Sequence, residues 1–160
     1  MQRVQPNKNY GQHFLKDKTV VQRTVEIIKS LHHAEKLIEI GPGTGALTSA
    51  LIPEFIDILN CIEVDERCVE YLHIHFTELQ NKIIHKDFLK VPLEEILFPS
   101  ATIVGNFPYN ISSQIIFKIL EYREKIPNMI GMFQKEVAVR IAAPHSNKEY
   151  GILSVLTQLY

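Results

Sequence analysis

Glu39-Ile40-Gly41-Pro42-Gly43-Thr44-Gly45-Ala46 is the stretch that decides the fold. It follows an apolar run, Lys36–Ile40, expected as a β-strand, and it opens a short helix expected from Ala46. Three glycines in five positions allow a tight turn and let a ligand approach the backbone closely. Glu63 stands 22 residues beyond Gly41, at the end of the next expected strand. A carboxylate there can accept hydrogen bonds from both hydroxyls of a ribose, so the loop and the acid together point to a nucleoside cofactor. The spacing Gly41-x-Gly43-x-x-Ala46 also fits the dinucleotide fingerprint in its Gly/Ala form, which keeps a nicotinamide cofactor open at this point.

Working outward, residues 19–31 place Val20, Val21, Thr24, Val25, Ile27, Ile28 and Leu31 at helical spacing, and residues 1–16 ahead of them form a basic arm. Downstream, strands are expected at 55–63, 82–85, 101–105 and 129–133. Helices are expected at 66–79, 113–122 and 136–142. A final helical stripe carries Ile152, Val155, Leu156, Leu159 and Tyr160. Strands separated by helices mean a mainly parallel, doubly wound α/β sheet covered on both faces. The organisation expected is an arm at residues 1–18 that serves as a cofactor lid, followed by one Rossmann-like domain at 19–160.

The chain has 160 residues, enough for a buried core, and a net charge of −1 that advertises no polyanion partner. The charge is unevenly placed, however. Residues 1–36 carry +4, residues 37–117 carry −7 and residues 118–160 carry +2, so a nucleic acid is expected to approach the surface built by the two ends. Cys61 and Cys68 are too few for a disulfide framework and match no zinc spacing; they are expected as buried thiols in a reducing, cytoplasmic setting. His73 and His75, two apart on a helix, point to different sides, and no metal site is expected. No membrane span or secretory signal is read in the chain.

Two further segments bear on chemistry. Asp87, after the third strand, falls on the same carboxyl edge of the sheet as Gly41 and Glu63, where it can accept from the exocyclic amine of an adenine; its plainer role is a helix N-cap. Gly105-Asn106-Phe107-Pro108-Tyr109-Asn110-Ile111-Ser112 follows the fourth strand. The exocyclic nitrogen of adenine is a poor nucleophile because its lone pair is delocalised into the ring. Two acceptors, the Asn106 side-chain oxygen and the Pro108 carbonyl, can take its two N–H groups and draw it toward tetrahedral geometry, while Tyr109 stacks on the base. With a sulfonium methyl donor, no base is needed before the methyl moves. A nicotinamide-dependent oxidoreductase would explain the glycine loop and Glu63, but has no use for Asn106 to Tyr109.

Those stretches occur in order with Gly11-Gln12-His13-Phe14-Leu15, Ile62-Glu63-Val64-Asp65, Gln134-Lys135-Glu136-Val137-Ala138-Val139-Arg140 and Tyr150-Gly151-Ile152-Leu153-Ser154-Val155. The set resembles the KsgA-type ribosomal RNA adenine N6,N6-dimethyltransferases, from about Asn9 to Tyr160. The resemblance implies a class I methyltransferase fold, S-adenosylmethionine as cofactor, and two neighbouring adenosines near the 3′ end of small-subunit rRNA as substrate. It also implies pre-ribosomal particles as partner and a monomeric protein. Position by position, it implies that His13 and Leu15 flank the methionine end of the cofactor and that Gly41 and Gly43 shape the loop beneath it. By the same resemblance Glu63 holds the ribose, Asp87 faces the adenine amine, and Asn106 bridges to the target base. His13 stands where the family often has Asn, and Phe107 replaces a common Leu or Ile. The family continues with a strand hairpin and a small helical domain, so the sheet is expected to be incomplete at its C-terminal strands. A pre-ribosome-binding assembly factor without turnover is the non-enzymatic alternative.

Overall fold

The computed structural model describes residues 4–7, 10–31, 34–94, 96–97 and 99–159. Asp17 caps the first helix, α1 (Lys18–Leu31), by accepting from the amides of Thr19 at 2.8 Å and Val20 at 3.3 Å, which satisfies two of its orphan donors. Its buried side, Thr24, Val25 and Ile28, is the centre of the stripe that the helical spacing predicts, whereas Val20, Ile27 and Leu31 of that stripe are exposed.

The sheet holds five parallel strands, β1 (Lys36–Ile40), β2 (Leu59–Glu63), β3 (Ile83–His85), β4 (Ala101–Asn106) and β5 (Asn128–Met132), in the order β3-β2-β1-β4-β5. This is the doubly wound, Rossmann-like arrangement expected. Successive residues of β1 feed opposite cores. Leu37 packs with Val25, Ile28, Leu51 and Leu59 on the side of α1 and α2 (Thr48–Phe55), and Ile38 packs with Ile103, Ile115 and Ile119 on the side of α4 (Ser112–Glu121). Burial on both faces is why adjacent Leu37 and Ile38 are both apolar, the strict alternation being absent, with Glu39 the one buried polar member of the strand.

Three boundaries differ from expectation by more than one residue. The strand expected from Phe55 starts at Leu59, because α2 runs on to Phe55 and Ile56 still bonds back to the carbonyl of Ile52. Phe55, Ile56 and Ile58 pack on the same core from a helix end and a turn, which periodicity cannot separate from a strand. The first helix after the loop begins at Thr48 rather than Ala46, since residues 43–47 are wound as turns. The helix expected over 66–79 is α3 (Glu66–His75) followed by a 3₁₀ turn, Thr77–Leu79; Phe76, at φ −132° and ψ 76°, breaks it. Beyond β5 lie α5 (Lys135–Ala142) and α6 (Ile152–Leu159), which pack on each other. Tyr160, placed on the α6 stripe, is outside the described residues.

The chain reverses its direction of sheet growth between β1 and β4, and ligands of such sheets bind at that switch point, outside the strand ends. The register pairs Ile40 with Gly105 and Glu63 with His85, so the loops starting at Gly41 and Asn106 leave the sheet side by side, as do those after Glu63 and His85. Gly105 has a packing reason to lack a side chain: a Cβ would lie 2.6 Å from the Ile40 carbonyl oxygen and 3.2 Å from the Phe107 ring. Gly105→Ala is expected to cost about 1–3 kcal/mol through overpacking of a central strand, read as a lower urea midpoint at unchanged slope.

Candidate active site

A cavity of ≈ 210 Å³ opens at the switch point. Every expected site residue lines it: His13, Leu15, Gly41, Gly43, Glu63, Asp87, Asn106, Pro108 and Tyr109. Five separate stretches of chain contribute to it, and the sheet order explains why they meet.

Gly41, Gly43 and Gly45 all take left-handed backbone, with φ of +65°, +58° and +80°, which L side chains rarely adopt. A Cβ on Gly41 would enter open space, whereas one on Gly45 would collide with the Phe76 ring at 2.4 Å. Gly45 therefore serves loop packing and Gly41 leaves room above the loop. Glu63 is buried and its carboxylate is fully organised: Oε1 accepts from the amides of Val64 and Asp65, each at 2.9 Å, and Oε2 accepts from the Gly43 amide at 2.9 Å. Burial pushes its pKa up, and these three N–H groups oppose the rise. One acid thus ties the glycine loop to the end of β2 and still offers a free acceptor position on Oε2.

Asp87 faces the cavity, and the residues after it form a turn rather than a helix, so it caps a turn and not the helix N-terminus expected as its plainer role. Its Oδ1 accepts from the Leu89 amide at 2.9 Å, opening a turn whose Lys90 and Val91 amides bond to the Asp87 carbonyl.

Residues 10–15 line the cavity and contact both of its halves. Gln12 donates to Asp65 at 2.9 Å, and Phe14 lies against Gly43, on the glycine-loop side. On the other side, the Asn106 carboxamide nitrogen donates to the His13 carbonyl at 2.6 Å, and the His13 ring stacks on Tyr109 with centroids 4.3 Å apart. A carbonyl can only accept, so this bond fixes which end of the amide is nitrogen and leaves Oδ1 as a free-standing acceptor. The role of His13 visible here comes from its backbone carbonyl and ring face. Gln12, Phe14 and Asn110, not singled out in the sequence, also line the cavity; their signal was membership of the same two motifs.

The Pro108 carbonyl is engaged. It accepts from the Ser112 hydroxyl at 2.9 Å and from the Ile111 amide at 3.3 Å, which opens the 3₁₀ turn Tyr109–Ile111. Ser112 Oγ also lies 3.5 Å from the Tyr109 carbonyl, an alternative acceptor within reach.

Glu39, not singled out as a site residue, lines the cavity and is only 2% exposed. Its Oε2 accepts from Thr48 Oγ1 at 2.7 Å, and desolvation, above all, pushes its pKa up to about 7. Cys61 and Cys68 are free, buried thiols, both with pKa values raised by burial. Among the described residues no cluster of metal-ligating side chains occurs, and no helix is long and apolar enough to cross a membrane.

Comparison with known proteins bears on what this cavity is. The family described as "Ribosomal RNA adenine dimethylase" matches residues 3–160. The chain is 46% identical over 161 residues to ribosomal RNA small subunit methyltransferase A of Cytophaga hutchinsonii, and 48% identical over 163 residues to the protein of the same name from Porphyromonas gingivalis. Each alignment covers 100% of this chain and 62% of the relative, so the chain spans about three-fifths of the length of these curated relatives. Among solved structures, a dimethyladenosine transferase from Plasmodium falciparum superposes with a TM-score of 0.75 at 28% identity, covering 92% of this chain and 53% of that one. The 23S rRNA methyltransferase ErmE superposes at 0.62 and 26% identity, covering 80% and 50%. With the profile running over nearly every residue and the parallel sheet shared with these enzymes, the chain belongs to the ribosomal RNA adenine dimethylase family.

Proposed function

We propose that this chain is the catalytic domain of an S-adenosylmethionine-dependent enzyme that dimethylates the N6 amines of two adjacent adenosines near the 3′ end of small-subunit rRNA, acting as a monomer on pre-ribosomal particles in the cytoplasm. The observation that carries the reading is the meeting, in one cavity, of a ribose-type carboxylate, Glu63, with a carboxamide acceptor, Asn106, beside a stacking ring, Tyr109.

The residues present fit that cofactor, since the left-handed glycine loop leaves open space above Gly41 and Glu63 keeps an acceptor for a hydroxyl. When bound, S-adenosylmethionine supplies a methyl group on a sulfonium, electrophilic enough to need no activation by the protein. Glu63 holds the ribose, Asp87 accepts from the adenine amine, and His13 and Leu15 border the methionine end. On the target side, Asn106 Oδ1 takes one N–H of the substrate adenine. The Pro108 carbonyl takes the other once the Ser112 hydroxyl turns to the Tyr109 carbonyl it already approaches. The base stacks on the face of Tyr109 that His13 leaves uncovered. These contacts align the nitrogen and lessen delocalisation of its lone pair, which is the part of the barrier that positioning can lower.

Incubation with radiolabelled S-adenosylmethionine and immature small subunits tests the reading. Label is expected in N6,N6-dimethyladenosine after nuclease digestion; label in another nucleoside, or none in RNA, overturns it. Glu63→Ala is expected to weaken S-adenosylhomocysteine binding about 10- to 100-fold by calorimetry, because one charge-assisted ribose hydrogen bond of about 1.5–3 kcal/mol, made by the acceptor position left on Oε2, goes together with the anchor of Gly43. Unchanged affinity would remove Glu63 from the site.

A further inference from the structure

We propose that Lys118 is a positioning residue for adenine recognition, organising from outside the cavity the loop that carries Asp87. This rests on the reading of Asp87 as the acceptor for the cofactor's adenine amine.

Lys118 lies in the second half of α4, and its side chain reaches back beneath the loop after β3. Its ammonium donates to three backbone carbonyls there, those of Phe88 at 2.8 Å, Leu89 at 3.0 Å and Val91 at 2.6 Å. An ammonium has three N–H donors, and all three are used on one loop. The same cation sits 5.3 Å from the centroid of the buried Phe88 ring.

The opposite side of that loop is held by Asp87, whose side chain accepts from the Leu89 amide and whose carbonyl accepts from the Lys90 and Val91 amides. Residues 87–91 are therefore a single turn with amides gathered on Asp87 and three carbonyls gathered on Lys118. Three carbonyl dipoles converging on one point repel each other unless a cation neutralises them. Without the ammonium the turn has to open, and Asp87 is its first residue. Asp87, Phe88 and Leu89 line the cavity, whereas Lys118 does not, so the lysine acts through them.

α4 also continues directly from the 3₁₀ turn that follows Asn106, Pro108 and Tyr109. Lys118 thus joins the element that presents the target-side residues to the loop that presents the cofactor-side acid.

The test is calorimetry on this chain with two probes, S-adenosylhomocysteine and S-inosylhomocysteine, in which an oxygen replaces the adenine amine. The unmodified chain is expected to prefer the adenine probe. In Lys118→Met, which keeps length but removes the donors, that preference is expected to fall about tenfold, toward the value in Asp87→Ala. Lys118→Gln, which can serve fewer of the three carbonyls, is expected to fall between them and decides the matter if the Met variant does not fold. A preference equal to that of the unmodified chain in a folded variant, whether or not both affinities drop together, would mean that Lys118 only supports the fold, and overturns the proposal. No binding of S-adenosylhomocysteine by the unmodified chain would instead defeat the cofactor reading and this assignment with it.

Discussion

Asn106→Ala is expected to lower methyl transfer by ~10²–10³-fold while S-adenosylhomocysteine affinity stays within about threefold, the pattern of a group used in orienting the nucleophile rather than in holding the cofactor. The variant removes the acceptor for the target amine and also the donor to the His13 carbonyl. Asn106→Asp separates these two functions. A carboxylate still accepts from the amine, yet it cannot donate to His13 and places a negative charge against that carbonyl oxygen, so partial activity with a loosened arm is expected. Tyr109→Phe keeps the ring face and should retain most activity, whereas Tyr109→Ala loses about 1–3 kcal/mol of base stacking. Because the chain spans about three-fifths of its curated relatives, the series is best measured both in this chain and in one carrying the relatives' C-terminal portion, with folding checked by circular dichroism. A well-folded Asn106→Ala protein dimethylating at near the parental rate would falsify the orienting role and leave the family membership untouched.

The second large effect is on stability, and it depends on pH. Glu39 is enclosed by Thr48, Cys61 and the neighbouring charge of Glu63, and its carboxyl titrates near 7 instead of the ordinary 4.5. The folded protein therefore holds a proton that the unfolded chain releases between about pH 4.5 and 7. Raising the pH through that window removes stability, and the full penalty is present above it. The shift corresponds to about 3 kcal/mol at most. Glu39→Gln, neutral and nearly isosteric, is expected to match the parent below pH 4.5 and to exceed it at pH 8, by several degrees in Tm for a domain of this size. Groups remote from Glu39 titrate alike in both proteins, so the difference between the two melting curves reports Glu39 together with its coupling to Glu63. A difference in Tm that is the same at pH 5 and pH 8 would show that the parent carries no such buried titration.

Much of the site was legible in linear order because each part is compact in sequence. The glycine loop needs left-handed residues at 41, 43 and 45, and only glycine adopts that conformation without strain. Glu63 closes an apolar strand, and an acid at that point is hard to explain by packing alone. Asn106 to Tyr109 combine an amide, a proline and an aromatic ring directly after a strand. Apolar runs of strand length alternating with helical stripes were enough for a parallel, doubly wound sheet. Less legible were element ends, as at residues 55–58, where a helix end and a turn bury the same apolar residues that a strand would.

What the tertiary structure alone decided are contacts between residues far apart in the chain. Asn106 meets the His13 carbonyl across 93 residues and Gln12 meets Asp65 across 53, so a carboxamide read as an acceptor is also a latch for the arm. Lys118 reads in sequence as one more solvated lysine on an amphipathic helix, and only the return of the loop after β3 brings three carbonyls to it. Glu39 reads as the polar member of a strand, and only the winding of α2 over it makes it a buried acid. The Pro108 carbonyl, free on paper, is taken up by Ser112 once the 3₁₀ turn forms. The Pro108–Ser112 bond is local, four residues apart, and the other contacts share one physical reason. Side-chain periodicity records which face of an element is buried, because burial acts on each residue locally. A hydrogen-bond partner depends on strand register and loop path, which emerge only when the whole sheet is assembled.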